Sequence, residues 1–150
     1  MECKNVNKSF LQNKRYYILV GDDLAWKISL TKKVWGFTDK TKGSWNKSNY
    51  GDYIAFYVTQ PLGKIVGFGK ITDKYIDDQL VWHDEILFNK SIWKYKIRYD
   101  ILYLVDQWDN GINPPLGIML NTGRKVVDKS LFMKMVDDSE NKWNIQIRMI

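Results

Sequence analysis

Tyr53-Ile54-Ala55-Phe56-Tyr57-Val58 and Lys64-Ile65-Val66-Gly67-Phe68-Gly69-Lys70-Ile71, parted by Gln60-Pro61-Leu62-Gly63, decide the fold. The first run is continuously apolar and aromatic, the second has a similar character, and turn formers lie between them. The pair therefore reads as a β-hairpin. Gly67 and Gly69 alternate along the second strand. Glycines at that spacing mark a bulge or let another backbone approach one face, and a helix packed on them is the expected cause.

Working outward, Arg15 to Val20 is aromatic and β-branched and predicts a first strand. Asp22 is placed to cap a helix carrying Leu24, Ile28 and Leu30 to about Lys33. On the other side, residues 93–105 alternate at Trp93, Tyr95, Ile97 and Tyr99 and predict a long, bent, central strand. Leu116 to Leu120 predicts a short strand. Asp128 or Ser130 is placed to cap a helix presenting Leu131, Phe132, Met135 and Val136 before Asp137-Asp138. Strand, helix, hairpin, long strand and helix in that order predict an α+β domain: a strongly curved mixed sheet or small β-barrel flanked by short helices.

One domain is expected over 1–150. At this length a chain holds a single core, and 45% hydrophobic residues against 27% charged suffice to build it. The breaks at Gly43 to Gly51, Pro114-Pro115 and Asn121-Thr122-Gly123 punctuate that domain, and there is no internal repeat. Cys3 is the only cysteine and His83 the only histidine, which excludes a disulfide framework and a Cys/His zinc site and makes a reducing cytoplasm the natural setting. No apolar run approaches the ~20 residues of a membrane span, and the polar start Met1-Glu2-Cys3-Lys4-Asn5 does not read as a signal peptide.

The net charge of +6 is uneven: residues 1–50 hold ten Lys/Arg against four Asp/Glu, while residues 51–150 hold thirteen of each. A basic third beside a balanced remainder points to a polyanion bound in a salt-dependent way. Lys40, Lys42 and Lys47 bracket the loop Lys42-Gly43-Ser44-Trp45-Asn46-Lys47, and Arg124-Lys125 follow the Asn121-Thr122-Gly123 turn, whose free amides could meet a phosphate. These five are the candidate backbone-binding residues; for any one of them alone a solvated surface is the commoner reading, and the lysine cluster as a set is better evidence than its members.

Trp35, Trp45 and Trp82 stand in polar, glycine-dotted or lysine-rich stretches rather than in apolar runs, and become candidate pocket walls. Two indole faces can restore the stacking that an extruded base forfeits, at ~1 to 3 kcal/mol per base. Burying one methyl adds only ~0.8 kcal/mol, so preference for a methylated base requires a close-fitting cage. Gly36 would let backbone N–H and C=O approach the base edge. Against this, Trp35 and Trp82 could be half-buried core residues at strand ends, and Trp45 could plug the barrel rim or move freely. Trp26, Trp93, Trp108 and Trp143 are assigned to the scaffold.

Val34-Trp35-Gly36, Gly51 to Val58, Ile65-Val66-Gly67, Val81-Trp82 and the strand from Trp93 together resemble the pattern of EVE domains and their YTH relatives in the PUA-like superfamily, over about residues 15–136. The resemblance implies a compact barrel-like fold that takes a flipped or unpaired, often methylated, base of DNA or RNA into an aromatic cage, without chemistry on the base. By match, Trp35 and Trp82 form two walls and Leu87, five residues after the second Trp, the third. Val20-Gly21-Asp22 stands where YTH members carry a Lys-Ser-Asn-like run that helps to read the base. Modules of this superfamily also stand at the N-terminus of some archaeal McrB-type restriction GTPases, so other domains of such a complex are one implied partner and a free-standing protein the other setting.

Catalysis is not expected. His83-Asp84-Glu85 read as an extended segment points neighbouring side chains to opposite faces, no nucleophile with a partner base is visible, and there is no phosphate-binding glycine motif. No cofactor or metal is implied. The alternative functions are a PUA-like domain that reads structured RNA through its basic surface without modification specificity, and a protein-interaction or small-ligand domain.

Overall fold

The computed structural model describes residues 14–118, 120 and 123–149. The elements run β1 (Tyr16–Gly21), α1 (Asp23–Lys32), β2 (Val34–Phe37), a 3-10 turn (Asp39–Thr41), α2 (Lys42–Lys47), β3 (Tyr53–Val58), β4 (Lys64–Ile76), α3 (His83–Phe88), β5 (Tyr95–Leu104), a 3-10 turn (Trp108–Asn110), β6 (Gly123–Val127) and α4 (Lys129–Trp143). The strands form one mixed sheet in the order β2-β5-β4-β3-β1-β6. β1 and β3 are parallel; the other pairs are antiparallel.

Period-two alternation in β1 divides the core in two. Tyr17 and Leu19 join Phe56, Ile97, Trp26 and Trp35 on one side of the sheet. Ile18 and Val20 join Tyr53, Phe68 and the α4 residues Phe132, Met135 and Val136 on the other. A strand covered on both faces reads as a continuous apolar run, which is why β1 and β3 carry no polar alternation.

The sheet is strongly curled. Register shifts at Phe56/Tyr57, Phe68/Gly69 and Ile71/Asp73 bend and twist the central strands. As a result the end of β1 meets β2, although three strands separate them in the sheet: a Cβ on Gly21 would lie 2.6 Å from Cη2 of Trp35. α1 spans this junction. Asp22 caps it by accepting from the Ala25 N–H at 2.8 Å, and Lys33 ends it in the left-handed conformation.

Four sequence expectations are corrected. Gly67 and Gly69 admit strand β5 and not a helix, since their added Cβ atoms would lie 2.4 Å from the Tyr103 carbonyl oxygen and 2.8 Å from that of Asp100. Leu116 to Leu120 forms no strand among its described residues, because Gly117 takes a positive φ of 81° that breaks extended backbone; the strand lies later, at β6. α4 runs through Asp137-Asp138 to Trp143, with a Lys134–Asp138 pair on its exposed side and Ser139 buried beneath. β5 is interior but lies next to the edge strand β2.

Among the described residues no helix is long and apolar enough to cross a membrane, and no group of three or more His, Cys, Asp and Glu could hold a metal ion. Cys3 and the remainder of the polar N-terminal start lie outside the described residues.

Gly67→Ala should destabilise the protein by about 2 kcal/mol or more in chemical denaturation, because the atom it meets is backbone and cannot swing away. Gly43→Ala, inside α2 with nothing within 4 Å of the new methyl, should be neutral or stabilise by roughly 0.5 to 1 kcal/mol.

Candidate nucleic-acid interface

Where the curled sheet brings β1 against β2 lies a cavity of about 450 Å³, within the size range of ligand sites. Its walls come from the end of β1 and the start of α1 (Val20 to Asp22, Leu24, Ala25, Ile28), from Trp35 and Gly36 of β2, from Thr59, from Trp82 to Asp84, from Trp93, and from Gly123 of β6. Trp35 and Trp82 are both buried, at 7% and 6% exposure, and both line it.

Each indole is held from behind. Trp26 stacks on Trp35 with centroids 4.4 Å apart and planes 27° from parallel. Trp26 is itself fully buried and donates its Nε1–H to the Tyr57 carbonyl at 2.7 Å. Trp82 and Trp93 meet edge to face at 6.4 Å. Between them Gly36 is required for space: a Cβ there would lie 2.6 Å from Cβ of Trp93 and 2.8 Å from Cη2 of Trp82.

Glu85 fastens the second pair of walls. Its side chain is fully buried, with 0% exposure. One oxygen accepts from the N–H groups of Val81 (3.0 Å) and Trp82 (3.3 Å). The other accepts from Ile92 (2.8 Å) and Trp93 (3.0 Å). Burial pushes the Glu85 carboxyl up, but these four donors outweigh it and hold the group below the usual glutamate value. Asp84 adds a side-chain anchor, accepting from Trp93 Nε1 at 3.0 Å and from the Glu85 N–H at 2.9 Å.

His83-Asp84-Glu85 is the first turn of α3 and not an extended segment. Helical geometry therefore places His83 and Asp84 together on the cavity while Glu85 turns inward. Trp93, assigned to the scaffold from sequence, is a cavity wall. The alternation that reads Trp93 as the start of a strand hides this: β5 begins at Tyr95, and the Glu85 clamp holds the Trp93 backbone beside the cavity.

Two residues expected at the base do not line the cavity. Leu87 lies on the outer side of α3 and is 65% exposed, because the turn that buries Glu85 directs it to solvent. Trp45 packs on Tyr95 at 5.5 Å and donates its Nε1–H to the Lys96 carbonyl at 2.9 Å, which ties it to the edge of the sheet. There it carries cations: Lys74 lies over its ring at 4.4 Å, and Lys42 and Lys94 lie over Tyr95 at 5.3 and 5.5 Å. Lys74 and Lys94 lie far along the chain from this loop, and only the pairing of β4 with β5 brings them to it.

Of the expected backbone-binding residues, Lys40, Lys42, Lys47 and Lys125 are exposed and lie outside the cavity lining. Arg124 follows the lining residue Gly123 and lies over the Tyr17 ring at 4.6 Å. Its Nε and Nη1 are buried without a hydrogen-bond partner among the described residues. Asn121 and Thr122 of the preceding turn lie outside the described residues.

No protein-family model matches the chain. An uncharacterized protein of Methanocaldococcus jannaschii, MJ1369, is 26% identical over an 87-residue alignment that covers 50% of this chain and 56% of that protein. The chain thus spans a little over half the length of this relative. Among solved structures, an ASCH protein of Zymomonas mobilis is similar with a TM-score of 0.60 and 12% identity, over 83% of this chain and 96% of that one. The YTH domain-containing protein mmi1, solved with RNA, has a TM-score of 0.57 and 12% identity over 87% of each chain. A second YTH domain, solved in complex with m6A, has a TM-score of 0.54 and 17% identity, over 83% and 85%. These likenesses show the fold: an α+β curled sheet of the PUA-like kind found in YTH and ASCH proteins.

Glu85→Gln should lower stability by about 3 kcal/mol, since an amide NH2 then faces two of the four buried N–H donors. The sign of its pH dependence follows from the lowered pKa. The carboxylate stabilises fully above the unfolded-state pKa, and that stabilisation is lost as pH falls through the lower folded-state value. Denaturation midpoints of wild type and variant should therefore converge on acidification, because every other carboxylate is common to both.

Proposed function

We propose that this chain is a nucleic-acid-binding module that takes a flipped or unpaired, methylated base of DNA or RNA into the cavity and performs no chemistry on it. The observation that carries the reading is the set of three indoles, Trp35, Trp82 and Trp93, on one cavity and locked by Trp26, Gly36 and Glu85. Preorganised faces gain stacking without an ordering cost, which is what an extruded base requires. Gly36 makes room for Trp82 and Trp93 to close on β2, and Leu87 and Trp45 are left out of the cage.

Outside the cavity, Arg124 packs over Tyr17 with Nε and Nη1 buried, which leaves it out of the phosphate contacts of this reading. The lysines on Trp45 and Tyr95 would follow the flanking strand, with Lys40, Lys47 and Lys125 adding unspecific charge. That same cluster favours the second reading, an RNA-binding surface without modification specificity, because it lies apart from the cavity. The YTH relatives solved with RNA and with m6A support a nucleic-acid partner. A setting in a McrB-type restriction complex rests on the sequence resemblance alone.

Fluorescence anisotropy with matched DNA and RNA oligonucleotides, unmodified or carrying one methylated base, tests the choice at two salt concentrations. The cage reading expects modification-dependent binding that falls at least about tenfold in Trp82→Ala and Trp35→Ala while the folded circular-dichroism signal persists. The surface reading expects equal binding to all oligonucleotides, weakened and less salt-dependent in the Lys42/Lys74/Lys94 triple alanine variant.

A further inference from the structure

The cavity has the opposite charge to the chain. The protein carries a net charge of +6, yet no Lys or Arg lines the cavity, whereas Asp22 and Asp84 both do. Neither carboxylate has an ion-pair partner among the described residues. The remaining titratable group of the lining is His83.

Both carboxylates are fixed but retain free acceptor capacity. Asp22 accepts from the Ala25 N–H through Oδ1. Asp84 accepts from Trp93 Nε1 through both oxygens and from the Glu85 N–H through Oδ1. An ionised carboxylate has about four lone-pair sites, so each can still meet a donor or a positive charge. Three indoles share the lining with them. Indole faces attract cations, and the attraction grows when water is excluded.

A neutral base uses the indoles but not the two charges. A base methylated on a ring nitrogen of its pairing edge, such as 1-methyladenine or 3-methylcytosine, carries a positive charge spread over the flat ring. It is also unable to form its normal pair, so little energy is needed to bring it out of a duplex. Building on the base-reader proposal above, we propose that this cavity selects cationic, ring-nitrogen-methylated bases over their neutral isomers. Asp84 and Asp22 act as specificity-determining residues through charge, and the basic surface outside the cavity holds the phosphates. The shared chemistry occurs both in alkylated DNA and in modified RNA.

The experiment measures anisotropy binding of the full chain to single-stranded oligonucleotides, in deoxyribose and ribose series. Each carries one adenine, 1-methyladenine, N6-methyladenine, cytosine, 3-methylcytosine or 5-methylcytosine. The proposal expects the 1-methyladenine and 3-methylcytosine strands to bind at least about tenfold tighter than their neutral isomers, with the better series naming the source. Asp84→Asn, which removes the charge but sets an NH2 against a donor that anchors Trp93, should shrink that ratio within the variant whatever its effect on the neutral strands. Asp22→Asn, an equally good helix cap, should act in the same direction. Preference for N6-methyladenine or 5-methylcytosine would overturn the inference and leave the cage standing. Equal binding of all strands in both series would overturn the cage reading with it.

Discussion

A single buried carboxylate governs the shape of the site. Glu85 collects the backbone N–H groups of Val81 and Trp82 on one oxygen and of Ile92 and Trp93 on the other. A carboxylate taken out of water without partners would cost several kcal/mol. Here four backbone N–H donors oppose that cost and hold the carboxyl below the usual glutamate value. The connection between β4 and β5 is thereby drawn into one geometry at both ends. The two indoles that adjoin the clamp meet edge to face across Gly36 as a consequence.

The clamp would achieve little on a flat sheet. Three register shifts curl the strands until the end of β1 reaches β2, and α1 closes the junction with Trp26 stacked behind Trp35. The cavity is therefore a product of long-range topology. Its residues come from β1, α1, β2, β6 and the segments around α3, which no local stretch brings together. Outside it, cations settle on aromatic rings at the edge of the sheet, while the cavity itself holds carboxylates. The lining thus holds Asp22 and Asp84 and no lysine or arginine, while Lys42, Lys74 and Lys94 gather outside it around Trp45 and Tyr95.

Much of the fold was legible because its signals are local. The apolar runs of β1 and β3, the Asp22 and Asp128 caps and the turn at Gln60 to Gly63 are decided by neighbouring residues. Trp35, Gly36 and Trp82 could be singled out because an indole or a glycine in a polar context is unusual, and all three line the cavity. What could not be read depends on pairing partners. Gly67 and Gly69 admit a strand that lies far along the chain. Trp93 is a wall only because Glu85 and Asp84 hold its backbone and indole N–H. Leu87 leaves the cage because α3 is a helix, which turns a five-residue spacing away from the cavity. Trp45 is taken by the Lys96 carbonyl, an acceptor that sequence cannot place beside it.

The most direct test of the cage is the spectrum of the seven indole N–H groups, recorded by nitrogen-edited NMR while a methylated-base oligonucleotide is added. The account predicts large shifts for Trp35, Trp82 and Trp93, with Trp108 and Trp143 unmoved. Shifts confined to Trp45 at the lysine-bearing edge, with the three cavity indoles unchanged, would contradict it.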